Sequence, residues 1–466
     1  MKELLLLFLS LGLSLHAATF KVGSSRIYKS PNDLYNANVL QDGDIIEIDA
    51  ETFEGQPALA VWSKNNLIIR GVGGKPHLVA NGLNIWGKGI WVLAGNNITV
   101  ENIEFSGATV PDKNGAGIRL DGDGMTVSNC YFHDNENGIL TANSGAGDII
   151  IEHTEFENNG FGDGQSHNLY IGRVNSLTFR YNYSHHAKIG HNLKSRANEN
   201  YILYNRIMDE ETGFSSRLID LPNGGLSLIM GNVLMQGPNA ENNNLIGYGL
   251  EGLTNPISHN LLVINNTMVN KRVASCIFIS IQSGTNSSAI HNNIFAGSGT
   301  LLSGTATLMT NNLAESNINS VLFVNESNYD YRIESNSPAV NAGLSIDPFL
   351  GNSLIPNQHY VHPNNVATRT NIGVIDIGAY ESGATLSLSD TSIKNFSVYP
   401  NPASNYLTIK TEAIIKEIVI YNVLGQSVFT KSYTDRIDVS ELEDGIYYLK
   451  IIGDDVSDAV VAFIKK

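Results

Sequence analysis

The feature that most limits what this chain can fold into is a recurring run of alternating apolar residues closed by a polar one. It reads LIIRG ending at Gly71, ITVEN at Asn102, MTVSN at Asn129, IIIEH at His153 and LTFRY at Tyr181. It continues with YILYN at Asn205, LIMGN at Asn232 and LVINN at Asn266, then with ends at Asn292 and Asn311. These ends lie 19 to 34 residues apart, centred near 27, and a period in that range marks a solenoid. Each unit holds two or three short strands and no stretch of helical periodicity. Such a unit buries its apolar side chains only against the coils above and below it. An all-β fold is therefore predicted, a right-handed parallel β-helix of about ten or more coils over residues 18–381.

A second strand column follows in GIRLD after Ala116, GILTA after Asn137, NLYIG after His167, NLKSR after His191 and RLIDL from Arg217. The Asn residues at strand ends predict amide ladders at the turns, where Asn also tolerates left-handed backbone. Extra length in individual coils falls on surface loops, so residues 108–115, 143–148 and 236–258 are expected to wall a groove. Composition agrees with this reading. The 466 residues are too many for one compact core, and 44 Gly with only 16% charged residues suit strands and turns better than a helical bundle.

Residues 1–17 carry one Lys, an apolar run of about a dozen residues and small residues at Ala17 and Ala18, the pattern of a secretory signal. A membrane anchor needs roughly 18 to 20 apolar residues, and no transmembrane segment is expected. Cys130 and Cys276 fall five coils apart in the repeat, over about 20 Å at the ~4.8 Å strand spacing. They are expected to be two buried, unpaired thiols.

From Asn395 to Lys466 the chain reads as a separate small β-sandwich, after a polar linker at 382–394. Its motifs are Tyr399-Pro400-Asn401-Pro402, Tyr421-Asn422-Val423-Leu424-Gly425 and Gly445-Ile446-Tyr447-Tyr448, with a terminal Lys-Lys. This segment resembles the type A sorting domain of the type IX secretion system; a carbohydrate-binding sandwich is the competing reading. The resemblance implies a Bacteroidota-type cell, secretion to the surface or medium, the type IX machinery as a partner, and removal of the domain. Residues 327–381 likewise resemble the closing segment of secreted right-handed β-helix proteins.

The chemistry gathers in residues 165–225. Four of the 12 histidines lie there, with seven Lys and Arg, in a chain of net charge −16. Aligning the second strand column places His167, His191 and Arg217 in one register and Tyr170, Lys194 and Asp220 in another, at intervals of 24 and 26 residues. In regular strands the two rows face opposite ways, although a bend near a turn can bring end residues outward. Buried Lys and Arg are rare unless paired, and three coils carry them in succession. Such a patch on an exported solenoid suits an anionic polysaccharide, since cations neutralise a uronate carboxylate and ease removal of the proton beside it. Hydrolysis instead takes two flanking carboxylates, for which Asp209, Glu210, Glu211 and Asp220 are available. A non-catalytic glycan-binding or adhesive β-helix is the third class, and nothing points to nucleic acid.

Here the stretch resembles polysaccharide lyases on the right-handed β-helix, of the alginate lyase and chondroitinase B type. In those a catalytic Lys in a Lys-Ser turn precedes a catalytic Arg by one coil, and Lys194-Ser195 and Arg217 match. The resemblance implies Lys194 as base and Arg217 as charge stabiliser, with Tyr170 or His191 serving the leaving oxygen. His167, Asn168, Asn192, Arg196 and Asp220 are then expected to bind substrate. The family's acidic calcium ligands are replaced here by the run His185 to Leu193. Calcium thus stays one alternative, with His191, Arg196 or Arg217 in its place the other; zinc on His185, His186 and His191 lacks a regular ligand spacing. A monomer is expected.

Overall fold

The computed structural model describes residues 17–349, 351–370, 373–383, 397–410, 415–422, 427–432, 436–453 and 459–466. Residues 1–16 of the expected signal and 384–394 of the expected linker lie outside them. The described residues form two compact units, within residues 1–384 and 385–466.

The first unit is a parallel β-solenoid whose coils each supply one strand to three sheets, of 12, 11 and 10 strands in the order the chain meets them. The first sheet contains the repeated run: Met125–Ser128 pairs in parallel with Ile98–Glu101 and Asp148–Glu152. Val100, Val127 and Ile151 point inward and are fully buried, as period-two alternation requires. The third sheet is the second column read from sequence, with Arg119 pairing Leu140 and Leu140 pairing Tyr170. Between them lies a sheet of mostly three-residue strands, such as Tyr131–His133, whose middle residues feed a core stack. Phe105 and Phe132 stack with ring centroids 4.8 Å apart and Phe132 and Phe156 at 5.2 Å. Cys130 and Cys276 are free and buried.

The polar ends of the first-sheet strands resolve into two adjacent columns rather than one. Asn102, Asn129, His153, Tyr181, Tyr204, Asn265, Asn292 and Asn311 adopt left-handed backbone, with φ between 50° and 61°. The amide ladder is one residue further on. Asn205 Oδ1 accepts from Asn182 N at 2.9 Å, Asn232 Oδ1 from Asn205 N at 2.9 Å, and Asn266 Oδ1 from Asn232 N at 3.0 Å. The turn needs positive φ at one position and side-chain acceptors for buried N–H groups at the next, so the two tasks fall on neighbouring residues.

Two features depart from the expected solenoid. A short α-helix, Pro31–Ala37, is N-capped by Ser30 and buries Leu34 in the core of the first coils. The coil strands end at Glu315, and the following segment folds back along the first sheet instead of adding coils. It pairs Gln358–Val361 with Asn365–Thr368 and covers Tyr181, Tyr204, Leu228, Met230, Leu262 and Ile264, packing Leu354 among them. These apolar residues point outward, so they need that cover to leave water.

The second unit contains two antiparallel sheets of three and four strands with its own core, including Leu407, Ile409, Ile418, Ile420, Leu449 and Phe463. Among the described residues no helix is long and apolar enough to cross a membrane.

Candidate active site

Leu169–Ile171, Leu193–Ser195 and Ile219–Leu221 are neighbouring strands of the third sheet, and their registers bring Tyr170, Lys194 and Asp220 side by side. Leu169, Leu193 and Ile219 point into the core, so this row faces out. His167, His191 and Arg217 precede the regular strands and sit in the bend that enters them. The bend takes the second of the two arrangements the sequence allows: both rows converge on one outer patch. His167 lies edge-on to Tyr170 at 5.3 Å, and the His167 and His191 rings stack at 4.8 Å. Arg217 Nη1 donates to Asp220 Oδ1 at 2.9 Å, and His191 Nε2 is 3.4 Å from Asp220 Oδ2.

Asp220 is the buried anion of the patch, with a fully covered side chain, and Lys194 Nζ lies 3.5 Å from its Oδ2. Burial raises its carboxyl above the usual range, against the opposing pull of Arg217 and Lys194. Gly247 is next in the row, and a Cβ there would stand 3.1 Å from both Arg217 Cδ and Asp220 Oδ1. The missing side chain makes room for the ion pair.

The backbone fixes the tautomers of both histidines. His167 Nδ1 accepts from His191 N and His191 Nδ1 accepts from Arg217 N, each at 3.0 Å. Burial first, and then the neighbouring cations, hold both rings well below the usual histidine range. They are neutral rings with the proton on Nε2, so His191 is a hydrogen-bond donor at Nε2 and cannot accept a proton there.

Glu251, which the sequence reading missed, completes the patch. Its loop is pinned across the coils by Asn255, whose Nδ2 donates to Ala197 O at 2.9 Å and Gly224 O at 2.8 Å. The Glu251 carboxylate is gripped by Lys194 Nζ at 2.9 Å and Arg196 Nη2 at 2.6 Å. Arg196 also donates from Nε to the Tyr170 hydroxyl at 2.8 Å and from Nη1 to Asn223 Oδ1 at 2.5 Å. Burial would raise the Glu251 carboxyl, but the bonds from Lys194 and Arg196 outweigh it and hold the group below its usual range. No local pattern announces Glu251 in sequence, because it arrives from a loop 57 residues beyond Lys194.

Other expected residues take different places. Asn168 and Asn192 are fully buried in a second amide ladder, in which Asn168 Nδ2 donates to Asn192 Oδ1 at 2.9 Å. They hold the bend and do not reach the outer face. Lys194-Ser195 lies in a strand rather than a turn, and part of 236–258 is the strand Asn244–Tyr248. Asp209 is fully buried and Glu210 is bonded by Tyr183 on the second sheet, so of the four sequence-stated carboxylates Asp220 is in the patch. His185 and His186 lie at the end of a second-sheet strand, apart from His191. The patch does not fit calcium: Asp220 and Glu251 are each already paired with two cations, whereas calcium takes six to eight free oxygens.

Residues 14–168 and 77–218 match the family described as right handed beta helix region, and residues 397–466 match the secretion system C-terminal sorting domain. Among solved structures, pectate lyase Pel9A is similar at 13% identity and TM-score 0.45, over 80% of this chain and 98% of that one. The Dettilon tailspike protein (gp208) is similar at 13% identity and TM-score 0.26, over 63% of this chain and 60% of that one. No curated protein matches the chain. The sorting domain marks the protein for type IX secretion to the cell surface or medium. The chain therefore joins a right handed beta helix region to a type IX secretion sorting domain.

Proposed function

We propose that the protein is a secreted enzyme that degrades a uronate-containing anionic polysaccharide by β-elimination. The observation that carries this reading is the grip of Lys194 and Arg196 on the Glu251 carboxylate. A side-chain carboxylate held by two cations on the outer face stands in for a substrate carboxylate, which supports a pocket suited to one. In this reading the substrate carboxylate displaces Glu251. Lys194 and Arg196, with Arg217 beside them, then withdraw charge from it and make the neighbouring C–H more acidic.

Lys194 Nζ sits between Glu251 and Asp220, a position that suits a charge-bearing clamp. The base is then Tyr170, whose hydroxyl oxygen accepts from Arg196 Nε and whose ring faces Lys194 Nζ at 5.5 Å. The bond from Arg196 fixes the hydroxyl in place for that role. His191, with its ring proton on Nε2, offers the leaving oxygen a hydrogen bond. Hydrolysis is the weaker reading because Asp220 is wholly covered and lies behind the cations instead of flanking a bond.

The test is incubation of the secreted protein with alginate, pectate, ulvan and glycosaminoglycans. Ultraviolet absorbance from an unsaturated uronate end is the expected result. New reducing ends without that absorbance would establish hydrolysis instead. Binding without either product would leave an adhesive solenoid.

A further inference from the structure

The outer face of the second sheet carries a cluster that takes no part in the site above. His77, Glu104 and His133 come from three successive coils: His77 pairs with Glu104, and Glu104 pairs with Tyr131, two residues before His133. Their inward neighbours Leu78, Phe105 and Phe132 are fully buried in the core, so the three side chains project from backbone that packing holds in place. Glu104 Oε1 is 3.1 Å from His133 Nε2 and 3.4 Å from His77 Nε2. All three ligand atoms lie within 4.8 Å of one another. Bonds of ~2.1 Å in a tetrahedral zinc site set its ligand atoms about 3.4 Å apart.

A second observation points the same way. His133 Nδ1 is 2.9 Å from Asp134 Oδ2, and Asp134 is held in turn by Lys188 Nζ at 3.2 Å. A ring that donates its Nδ1 proton to a carboxylate presents the Nε2 lone pair on its far side. Here that lone pair faces a carboxylate oxygen of Glu104 at 3.1 Å, a pair of atoms that one metal ion can bridge. Carboxylate, histidine and metal in line is how proteins orient an imidazole ligand. The three ligands are 18 to 27% exposed, which leaves a path for an ion from solvent.

We propose that His77, Glu104 and His133 bind a divalent transition ion of the zinc class, with Asp134 setting the His133 tautomer and a fourth position open to water. Ser106 Oγ, 2.8 Å from His77 Nε2, lies beside that position. Two nitrogens and one oxygen favour such an ion over calcium or magnesium. The cluster of Glu157, His185 and His186 also brings ligand atoms within 4.8 Å of one another, but its two rings are bonded to each other. His185 Nδ1 and His186 Nδ1 are 2.6 Å apart, a hydrogen-bond separation too short for two ligands of one ion.

The test is calorimetric titration of Zn²⁺ into the chelator-stripped secreted protein, with metal content by mass spectrometry. The wild type and His186→Ala should each bind one ion per chain, and His133→Ala and Glu104→Gln should not. Asp134→Asn should bind about 10- to 100-fold more weakly. Zn²⁺ should also raise the unfolding temperature of the wild type but not of His77→Gln, the variant that decides if His133→Ala does not fold. A wild type that takes up no Zn²⁺ would overturn the proposal. Undiminished binding by His77→Gln and His133→Ala would overturn it equally.

Discussion

Replacing Glu251 with Gln tests whether its carboxylate occupies a substrate position. The side chain is 45% exposed, so its two ion pairs belong on the surface scale of about 0.2–1 kcal/mol each. The two pairs together put the whole grip at about 0.4–2 kcal/mol. A substrate carboxylate must break that grip to reach Lys194 and Arg196. Gln keeps the shape and removes the charge, so KM should fall about 2- to 30-fold with kcat within a factor of about two. Initial rates on the polysaccharide that yields the unsaturated product measure both constants. The gain in affinity should shrink at high salt, because the released cations are partly exposed and screened. A rise in KM, or a kcat loss beyond about tenfold, would mean that Glu251 itself takes part in the reaction, and the stand-in argument would fall.

Tyr170→Phe should lower kcat by about 10²- to 10⁴-fold with little change in KM, the signature of a lost base. Lys194→Ala should raise KM and lower kcat together; the opposite pattern, with Lys194→Ala affecting kcat alone, would return the role of base to Lys194. Asn232→Ala removes the acceptor of Asn205 N and the donor to Ile202 O. At about 1–3 kcal/mol for each buried group left unpaired, it should cost roughly 3 kcal/mol in denaturant unfolding, and a cost under about 1 kcal/mol would show that the ladder contributes little. Intact-mass measurement on protein secreted by its native host should show that the segment before Ala17 and the domain from about Asn395 are both absent. A secreted chain that keeps residues 397–466 would refute removal.

The first and third sheets were legible because most of their strands are long enough to alternate, and the three-residue strands of the third sheet, such as Leu193–Ser195, stack in series with the longer ones. Ile98 and Val100 point in while Thr99 and Glu101 point out, and a five-residue strand such as Asn137–Thr141 leaves no doubt about the register of its neighbours. The second sheet was not legible. A three-residue strand such as Tyr131–His133 has one inward residue, and one residue has no period. The Asn column was read as one feature because left-handed backbone and amide acceptor both favour Asn, and only geometry separates Asn265 from Asn266. The helix at Pro31–Ala37 is too short for a 3.6-residue period to show, yet its start was marked by Ser30 as N-cap and Pro31 after it.

At the site, register arithmetic placed Tyr170, Lys194 and Asp220 on adjacent coils, because a solenoid turns sequence intervals into neighbours. It could not say that His167 and His191 lie in a bend, since the facing of a residue depends on where the regular strand begins. Nor could it supply Glu251, whose approach is set by a loop outside the repeat. That omission changes the meaning of the basic stretch. Lys194, Arg196 and Arg217 are balanced in place by Asp220 and Glu251, so the patch carries little excess charge on a chain of net charge −16. A polyanion gains nothing from adding to such a patch while Glu251 is in place. It gains by exchanging with the exposed carboxylate, while the buried one, Asp220, keeps Lys194 and Arg217 in position. Under the proposed function, selectivity for a carboxylate-bearing sugar rests on how well its carboxylate reproduces the two-cation grip, and much less on the overall charge of the polymer.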